Sequence, residues 1–452
     1  MVQHAGSGPF TGYEQAGLPA EDAELTHVVP GSPAGEYLRR FWHPVALESE
    51  VTDIPLALRV LGEDLVLFRS LDGGYGLLHR RCAHRGASLE YGKCEPRGLR
   101  CCYHGWLYAL DGELLEAPGE PPDSPLPRKV RQGAYPLEVV AGIVFAYLGP
   151  SADRPAFPVY DTFGVPGTKR VPYVSDYPCN WLQIVENAMD PVHAAFLHTR
   201  NHGPSFSEEW GQIGIKEYHA VDEGFYYTNA RRVGDNVWVR LHHVIMPNMT
   251  QAGAVLSMDG RTTRYFGRPS FTRWVVPVDN EHTRVVAWAN FGDRSDAQRE
   301  EWMTPRMIEI IEGAEPRTRP RAEALRRPGD YEAFVSQGRI TRHAKEHLAT
   351  SDKGVALFRR RLRGDIRALA GGTPPYRASD RVEAPIPTYA GDNVLRVPPV
   401  DEADDAALVL EVSREVARIV VSGNHLRGEA RDSFVRAALA ELEASHAPLR
   451  RT

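Results

Sequence analysis

An α+β chain is predicted, with an all-β unit first and then a unit of antiparallel sheet with helices. Three observations predict it. Short strand-like runs separated by Asp-Gly and Gly-Gly turns fill residues 42–148. Longer strand-like runs, "GFYYTNARRV", "NVWVRLHHVIM" and "TRVVAWANF", recur between about 212 and 292. Segments with helical character stand before, between and after these, at 180–199, 300–313, 340–370 and 402–447.

Taken in order, residues 1–35 are rich in Gly, Ala, Pro and polar side chains and read as a loosely attached lead-in. Residues 36–160 are the β unit. Within it "LVLFRSLDGGYGLLH" is a hairpin turning at Asp72-Gly73-Gly74, and "GWLYALDGELL" repeats the device at Asp111-Gly112. The proline-rich "APGEPPDSPLP" (117–127) is a surface loop and "GPSADRPAFP" (149–158) a boundary. Residues 161–375 form the second unit, in which "NWLQIVENAMDPVHAAFLHT" (180–199) is predicted helical and 212–292 an antiparallel sheet. Residues 376–452 are a Pro-rich linker and then two amphipathic helices, whose charged residues form a solvated face.

Composition narrows the classes. The chain has 452 residues, 42% of them hydrophobic, enough for a large core and two or three domains. A formal net charge of -6 gives no reason to expect nucleic acid or an anionic membrane as partner. The first forty residues lack the apolar run of a signal peptide and no stretch approaches a membrane span, so a cytoplasmic protein is expected. Five cysteines are too few for a disulfide scaffold, and Cys82, Cys94, Cys101 and Cys102 cluster, which reads as metal binding.

The cluster has a pattern. Cys82-x-His84 and Cys101-x-x-His104 are separated by sixteen residues, and each pair fits on one loop offering one thiolate and one imidazole. Two such loops side by side supply two sulfurs to one metal and two nitrogens to another, the ligand set of a [2Fe-2S] centre in which His replaces Cys on one iron. A structural zinc site also takes two Cys and two His, although zinc spacings ordinarily pair Cys with Cys. Gly86 and Gly105 let backbone N–H groups approach the cluster. Cys94 and Cys102 read as bystanders. The segment resembles the motif of the Rieske non-haem iron oxygenases, with Cys102 standing where Pro is common.

A relay of electrons needs a place to use them. "ENAMDPVHAAFLH" contains Asp190-x-x-His193-x4-His198. On an ideal helix, histidines five apart point about 140° apart, so both face one metal only if the helix is broken or loosened. Pro191 supplies a reason for that irregularity, with Asp190 as a cap for the new helical segment. On residues alone these are also two ordinary helix histidines. The resemblance implies more: His193 and His198 as ligands of a mononuclear Fe(II), completed by a downstream acid into a two-His, one-carboxylate triad. In "GDYEAFVSQGRITRHAKEHLATSDKG" that acid is the Asp seven residues before Gln337-Gly338, Asp330, with Asp352 and Glu332 as alternatives. It also implies that Asp190 bridges His104 of one chain and His193 of its neighbour, and that Asn187 sits near the iron.

The remaining implications concern architecture and partners. The resemblance, to the phthalate dioxygenase and O-demethylase branch, implies a Rieske domain and then a helix-grip-like catalytic domain. It also implies a homotrimer or a multiple of trimers. No Gly-x-Gly-x-x-Gly is present, so no nicotinamide or flavin fold is expected, and a separate flavin and iron–sulfur reductase is the implied electron source. The implied reaction uses O2 to hydroxylate or O-demethylate an aromatic substrate, one with a carboxylate if basic residues line its pocket. Alternatives are an amine, sterol or alkaloid substrate, or an electron-transfer protein without a working mononuclear site. Arg240, Arg264 and Arg273 are candidate anion partners, with solvent-facing strand positions as the plain account of each. His242 and His243 are adjacent in a strand, so at most one lines the pocket.

Overall fold

The computed structural model describes residues 21–202, 207–253, 259–291 and 319–446. The expected helix at 300–313 lies outside the described residues.

The N-terminal part holds three small antiparallel sheets. Trp42–Leu47, Ile143–Tyr147 and Leu137–Val140 make one. The hairpin Glu63–Arg69/Tyr75–His79, with its turn over Asp72-Gly73-Gly74, belongs to the second. The third runs Lys93–Glu95, Gly98–Arg100, Leu107–Tyr108, Leu114–Glu116, and its last turn contains Gly112 at φ +82°, where a Cβ would meet the Gln132 carbonyl at 2.1 Å. Residues 21–35 are not loose. Leu25, Val28 and Ala34 are fully buried, and Asp22 and Glu24 pair with Arg363 on a distant helix. Apolar residues in an otherwise polar lead-in were enough to dock it.

A fourth sheet, of nine strands, carries the rest. Lys169–Tyr177, Thr283–Phe291, Phe271–Pro277, Met249–Ala252, Asn236–Ile245, Gly224–Val233 and Ile215–Val221 lie side by side, each antiparallel to the next. The segment after the Pro-rich stretch contributes a strand as well as helices: Gly391–Arg396 pairs with Asn236–Ile245 and with Arg264–Gly267. Its only sequence cue is the short "NVLR" run, too brief to stand out from a loop.

Strand alternation decides what each face does. Tyr227 opposes His242, Asn229 opposes Arg240, and Arg273 opposes Thr250, placing these side chains on one face. The other face is fully covered. Val237, Val239 and Leu241 pack against Val409, Val412, Val416, Val420, Val435 and Leu439 of the helices Glu402–Ser422 and Gly428–Ser445. Beside them Trp274 and Trp288 meet Phe145 of the N-terminal part at ring distances of 5.3 and 6.0 Å. The helices Trp181–Asn187 and Lys353–Ala370 complete the core on the site side, the latter through Phe358, Leu362 and Ile366 at helical spacing. Residues 340–352, expected helical, are mostly irregular with two short 3₁₀ turns, His343–Lys345 and Thr350–Asp352. No helix among the described residues is long and apolar enough to cross a membrane.

Candidate metal centres

The two Cys/His loops are built alike. Cys82 N–H donates to the Ala87 carbonyl and Gly86 N–H to the Cys82 carbonyl, at 2.9 and 2.8 Å. In the second loop Cys101 N–H donates to Trp106 and Gly105 N–H to Cys101, at 2.8 and 3.1 Å. Both glycines, four residues after their cysteine, have positive φ (+76° and +71°), which this tight turn requires. Cys82 and Cys101 are buried, free thiols close enough to hydrogen-bond each other, and the His84 and His104 rings lie 4.5 Å apart on the outer side. Cys102 is exposed and Cys94 is buried away in the third small sheet, so neither joins the group.

Two residues that the sequence did not single out complete this site. Trp106 stacks on His84 at 4.4 Å with rings 10° from parallel, and the Tyr108 hydroxyl lies 3.1 Å from Cys82 Sγ. Burial raises the Tyr108 pKa, and the Cys82 sulfur adds to it, so the phenol stays protonated and able to donate. Gln132 ties the first loop down, accepting from Ala83 N–H and donating to the carbonyls of His79 and Arg81. The period-two signal was present in "WLY", two aromatic residues one apart on a strand leaving the second loop.

Buried sulfurs on one side and imidazoles toward the surface on the other fit a [2Fe-2S] cluster. His84 Nδ1 is buried without a hydrogen-bond partner among the described residues, the state expected of a metal-ligating nitrogen.

The second constellation begins where a helix fails. Trp181–Asn187 ends ahead of Pro191, a four-residue helix Val192–Ala195 comes next, and Phe196–Arg200 is a π-helical turn. Asn180 caps the first segment by accepting from Leu182 N–H, and Asp190 Oδ1 accepts from Val192 N–H at 2.9 Å. The helical segment expected over 180–199, with its irregularity at Pro191, is three pieces. The π-turn widens the spiral so that residues five apart come to the same side.

His193 Nε2 and His198 Nε2 lie 3.7 and 3.3 Å from Asp330 Oδ1, and one ligand atom from each residue falls within 4.8 Å of the others. Asp330 opens the short helix Asp330–Val335, with Glu332 capping it through Gly329 N–H. Burial pushes the Asp330 carboxyl up, but the imidazole of His198 outweighs this and holds it well below the usual carboxylate range. Its Oδ1 has no hydrogen-bond partner among the described residues. Three converging donors and an orphaned carboxylate oxygen fit a first-row divalent ion bound by two His and one carboxylate. Glu332 is engaged with Arg319 and Asp352 caps a turn through Ala349 N–H, so neither competes.

A cavity opens on this group, and Asn187, Trp210, Tyr227, Arg240, Phe271 and Arg273 are among its walls. Arg240 and Arg273 are 1% and 7% exposed, so the solvent-facing account fails for both, while Arg264 lies on the edge strand outside the cavity. His242 lines it, stacked on Tyr227 at 4.8 Å, and His243 points to the opposite face against Tyr389. Burial, reinforced by Arg240 and Arg273, drives the His242 pKa far down, so its ring is neutral. Asp190 remains 30% exposed; its backbone carbonyl accepts from His193 Nδ1 and its Oδ2 is 3.8 Å from the same nitrogen.

The model of the Rieske [2Fe-2S] domain matches residues 41–136. The tert-butanol monooxygenase / tert-amyl alcohol desaturase oxygenase subunit of Aquincola tertiaricarbonis is 41% identical over 98% of this chain and 98% of its own. Phenoxybenzoate dioxygenase subunit alpha of Ectopseudomonas oleovorans is 39% identical over 83% and 90%. Among solved structures, NdmA of Pseudomonas putida CBB5 with caffeine superposes with a TM-score of 0.60 at 23% identity, covering 77% of this chain and 96% of that one, a likeness of fold.

Proposed function

Because this chain belongs to the Rieske non-haem iron oxygenases, as an alpha subunit close to the phthalate dioxygenase and dehydrodivanillate O-demethylase branch, we propose that it is the terminal oxygenase of a multicomponent system acting on an aromatic substrate. Electrons would come from a separate flavin and iron–sulfur reductase. Cys82, His84, Cys101 and His104 hold the [2Fe-2S] cluster, and His193, His198 and Asp330 hold one Fe(II). When bound, the cluster supplies single electrons and the ferrous ion activates O2 for hydroxylation or O-demethylation.

The observation that carries this reading is the meeting of His193 and His198 at Asp330 Oδ1 in the wall of a buried cavity. The residues themselves do three things. His193 Nδ1 donates to the Asp190 carbonyl, which fixes the ring with Nε2 toward Asp330. Trp210, Tyr227 and Phe271 give the cavity an aromatic lining that suits an aromatic ring. His104 is exposed and the Asp190 carboxylate is 30% exposed with Oδ2 outside the helix cap, so both can be reached by a neighbouring copy, as a homotrimer or a multiple of trimers with Asp190 as the bridge between centres requires.

A second reading, oxidation of a small tertiary alcohol, is favoured by the full-length likeness to the tert-butanol monooxygenase subunit. A screen of aromatic acids, aryl methyl ethers and tertiary alcohols with a surrogate reductase, read by product mass spectrometry, tests both. Oxygen incorporation or formaldehyde release from an aromatic compound is the expected result. Turnover of tertiary alcohols alone would establish the second reading.

A further inference from the structure

A second cavity lies where the N-terminal part meets the nine-stranded sheet, and it shares no wall residue with the iron-side one. Strand alternation separates the two. Thr250 and Arg273 face the His/His/Asp group, whereas their neighbours Met249 and Trp274 face the other way and wall this second space. Phe41, Trp42, Tyr160 and Tyr376 line it as well, and Glu223 is the one carboxylate among its walls. Its empty space is about 530 Å³, mouth included, against about 710 Å³ on the iron side, which suits a single-ring molecule.

Glu223 has the setting of a counter-ion without its ion. Its side chain is 12% exposed, and the Tyr389 hydroxyl, itself accepting from Asn424 Nδ2 at 2.9 Å, donates to it. His243 Nε2 lies 3.7 Å from Glu223 Oε1, too far for a hydrogen bond, and is buried without a partner among the described residues. The His243 Nδ1 accepts from Tyr389 N–H at 3.4 Å, and burial lowers the ring's pKa to about 3, so it is neutral and supplies no positive charge. The arginines nearby are engaged elsewhere. Arg361 pairs with Asp365 at 2.8 Å and donates to the Asp222 carbonyl, and Arg377 pairs with Asp380 at 2.7 Å and donates to the Asp153 carbonyl. Burial raises the Glu223 pKa, as befits a carboxylate short of a cation. Burial also raises the Tyr160 and Tyr376 pKa values and the Glu223 charge adds to this, so both phenols stay protonated beside it.

We propose that this cavity is a second ligand site, which takes a small aromatic amine in its protonated form, the ammonium held by Glu223 and the ring against Trp42 and Trp274. An ammonium supplies the missing positive charge and donates the hydrogen bonds that a carboxylate accepts. The electron-rich faces of aromatic side chains add attraction for a cation. A neutral ring of the same size gains the apolar contact alone. Trp42 belongs to a small N-terminal sheet and Trp274 to the nine-stranded one, so the ligand touches both units and favours their docked arrangement. The assignment does not depend on which compound the iron-side cavity oxidises.

The test is calorimetric titration of the metal-loaded full chain at neutral pH with benzylammonium, and with benzyl alcohol as its neutral counterpart. Wild-type protein is expected to bind benzylammonium about tenfold or more tightly than benzyl alcohol. Glu223→Gln should weaken benzylammonium binding about ten- to a hundredfold, the worth of one charge-assisted hydrogen bond, while benzyl alcohol binding stays within about twofold. Ser379 is a partly exposed wall residue, and Ser379→Trp, which crowds the cavity with Glu223 intact, should also weaken benzylammonium by about tenfold or more. This second variant decides the matter if Glu223→Gln does not fold. The proposal is overturned if wild type does not bind benzylammonium or binds benzyl alcohol as tightly. It is overturned equally if either folded variant keeps the wild-type affinity for benzylammonium, which would locate the amine in the iron-side cavity instead.

Discussion

The Asn201 N–H donates to the carbonyl of Phe196, five residues back, at 3.0 Å. That single π-type bond spans His198 and is the local reason two histidines five apart can share a carboxylate. The ring centroids of His193 and His198 end 5.5 Å apart, both aimed at Asp330.

Metal loading should depend on this arrangement one ligand at a time. His193→Ala should lose the mononuclear iron and all turnover while keeping the red-brown colour and the reduced EPR signal of the cluster. Asp330→Asn should do the same to a lesser degree, because an amide oxygen is a weaker ligand than a carboxylate. Metal analysis alongside the visible spectrum checks both. Loss of cluster colour in either variant would mean that the two centres do not fold independently.

The cluster's potential should respond to Tyr108. Its hydroxyl lies 3.1 Å from Cys82 Sγ, and a hydrogen bond to a ligating sulfur stabilises the reduced, more negative cluster. Tyr108→Phe should lower the reduction potential by on the order of tens of millivolts, the worth of about one hydrogen bond. Redox titration monitored by EPR measures it. Cys101→Ser should abolish the cluster altogether, which provides the zero for the comparison.

Much of this was legible in the sequence, for a physical reason. Ligand chemistry is local: Cys82-x-His84 and Cys101-x-x-His104 each sit on one turn, and Gly86 and Gly105 mark the positive-φ residue that closes it. Pro191 announced the broken helix. Asp330 was within reach only through family resemblance, since its 132-residue separation from His198 is a property of the tertiary fold. Arg240 illustrates the opposite limit. Period-two alternation says that it shares a face with His242, but which face is buried depends on helices more than 150 residues later in the chain covering the other one. The strand Gly391–Arg396 was missed on the same ground, because its partner is distant and its run short.

Asp190 connects the two centres in the proposed assembly, and it has a structural duty besides. Its Oδ1 caps Val192–Ala195 through Val192 N–H, while Oδ2 stays available. Asp190→Asn keeps an acceptor for the cap and loses the charge, so both metals should remain at full occupancy. Electron delivery between centres should slow, because an amide cannot accept from two imidazole N–H groups as a carboxylate does. Single-turnover oxidation of the reduced cluster, timed by its absorbance, separates this from a loss of iron. An unchanged rate would count against the bridging role.

The C-terminal helices should prove to be part of the catalytic core, held by a buried ion pair. Arg431 Nη1 lies 2.7 Å from Asp161 Oδ2, with side chains 1% and 4% exposed, and Arg268 reaches Asp161 Oδ1 at 2.8 Å. Burial pushes the Asp161 carboxyl up, but Arg268 and Arg431 outweigh it and hold it below its ordinary value. The pair therefore stabilises fully above about pH 4, and its contribution is lost as the pH falls through the depressed folded-state value. Arg431→Met leaves Asp161 with fewer positive partners in a buried site, and should cost about 3–5 kcal/mol in denaturant unfolding and raise the pH of acid unfolding. By contrast Arg414→Met, which breaks an exposed pair with Glu217, should cost no more than about 1 kcal/mol. Equal effects of the two substitutions would mean that the helices Glu402–Ser422 and Gly428–Ser445 are carried by their apolar face alone.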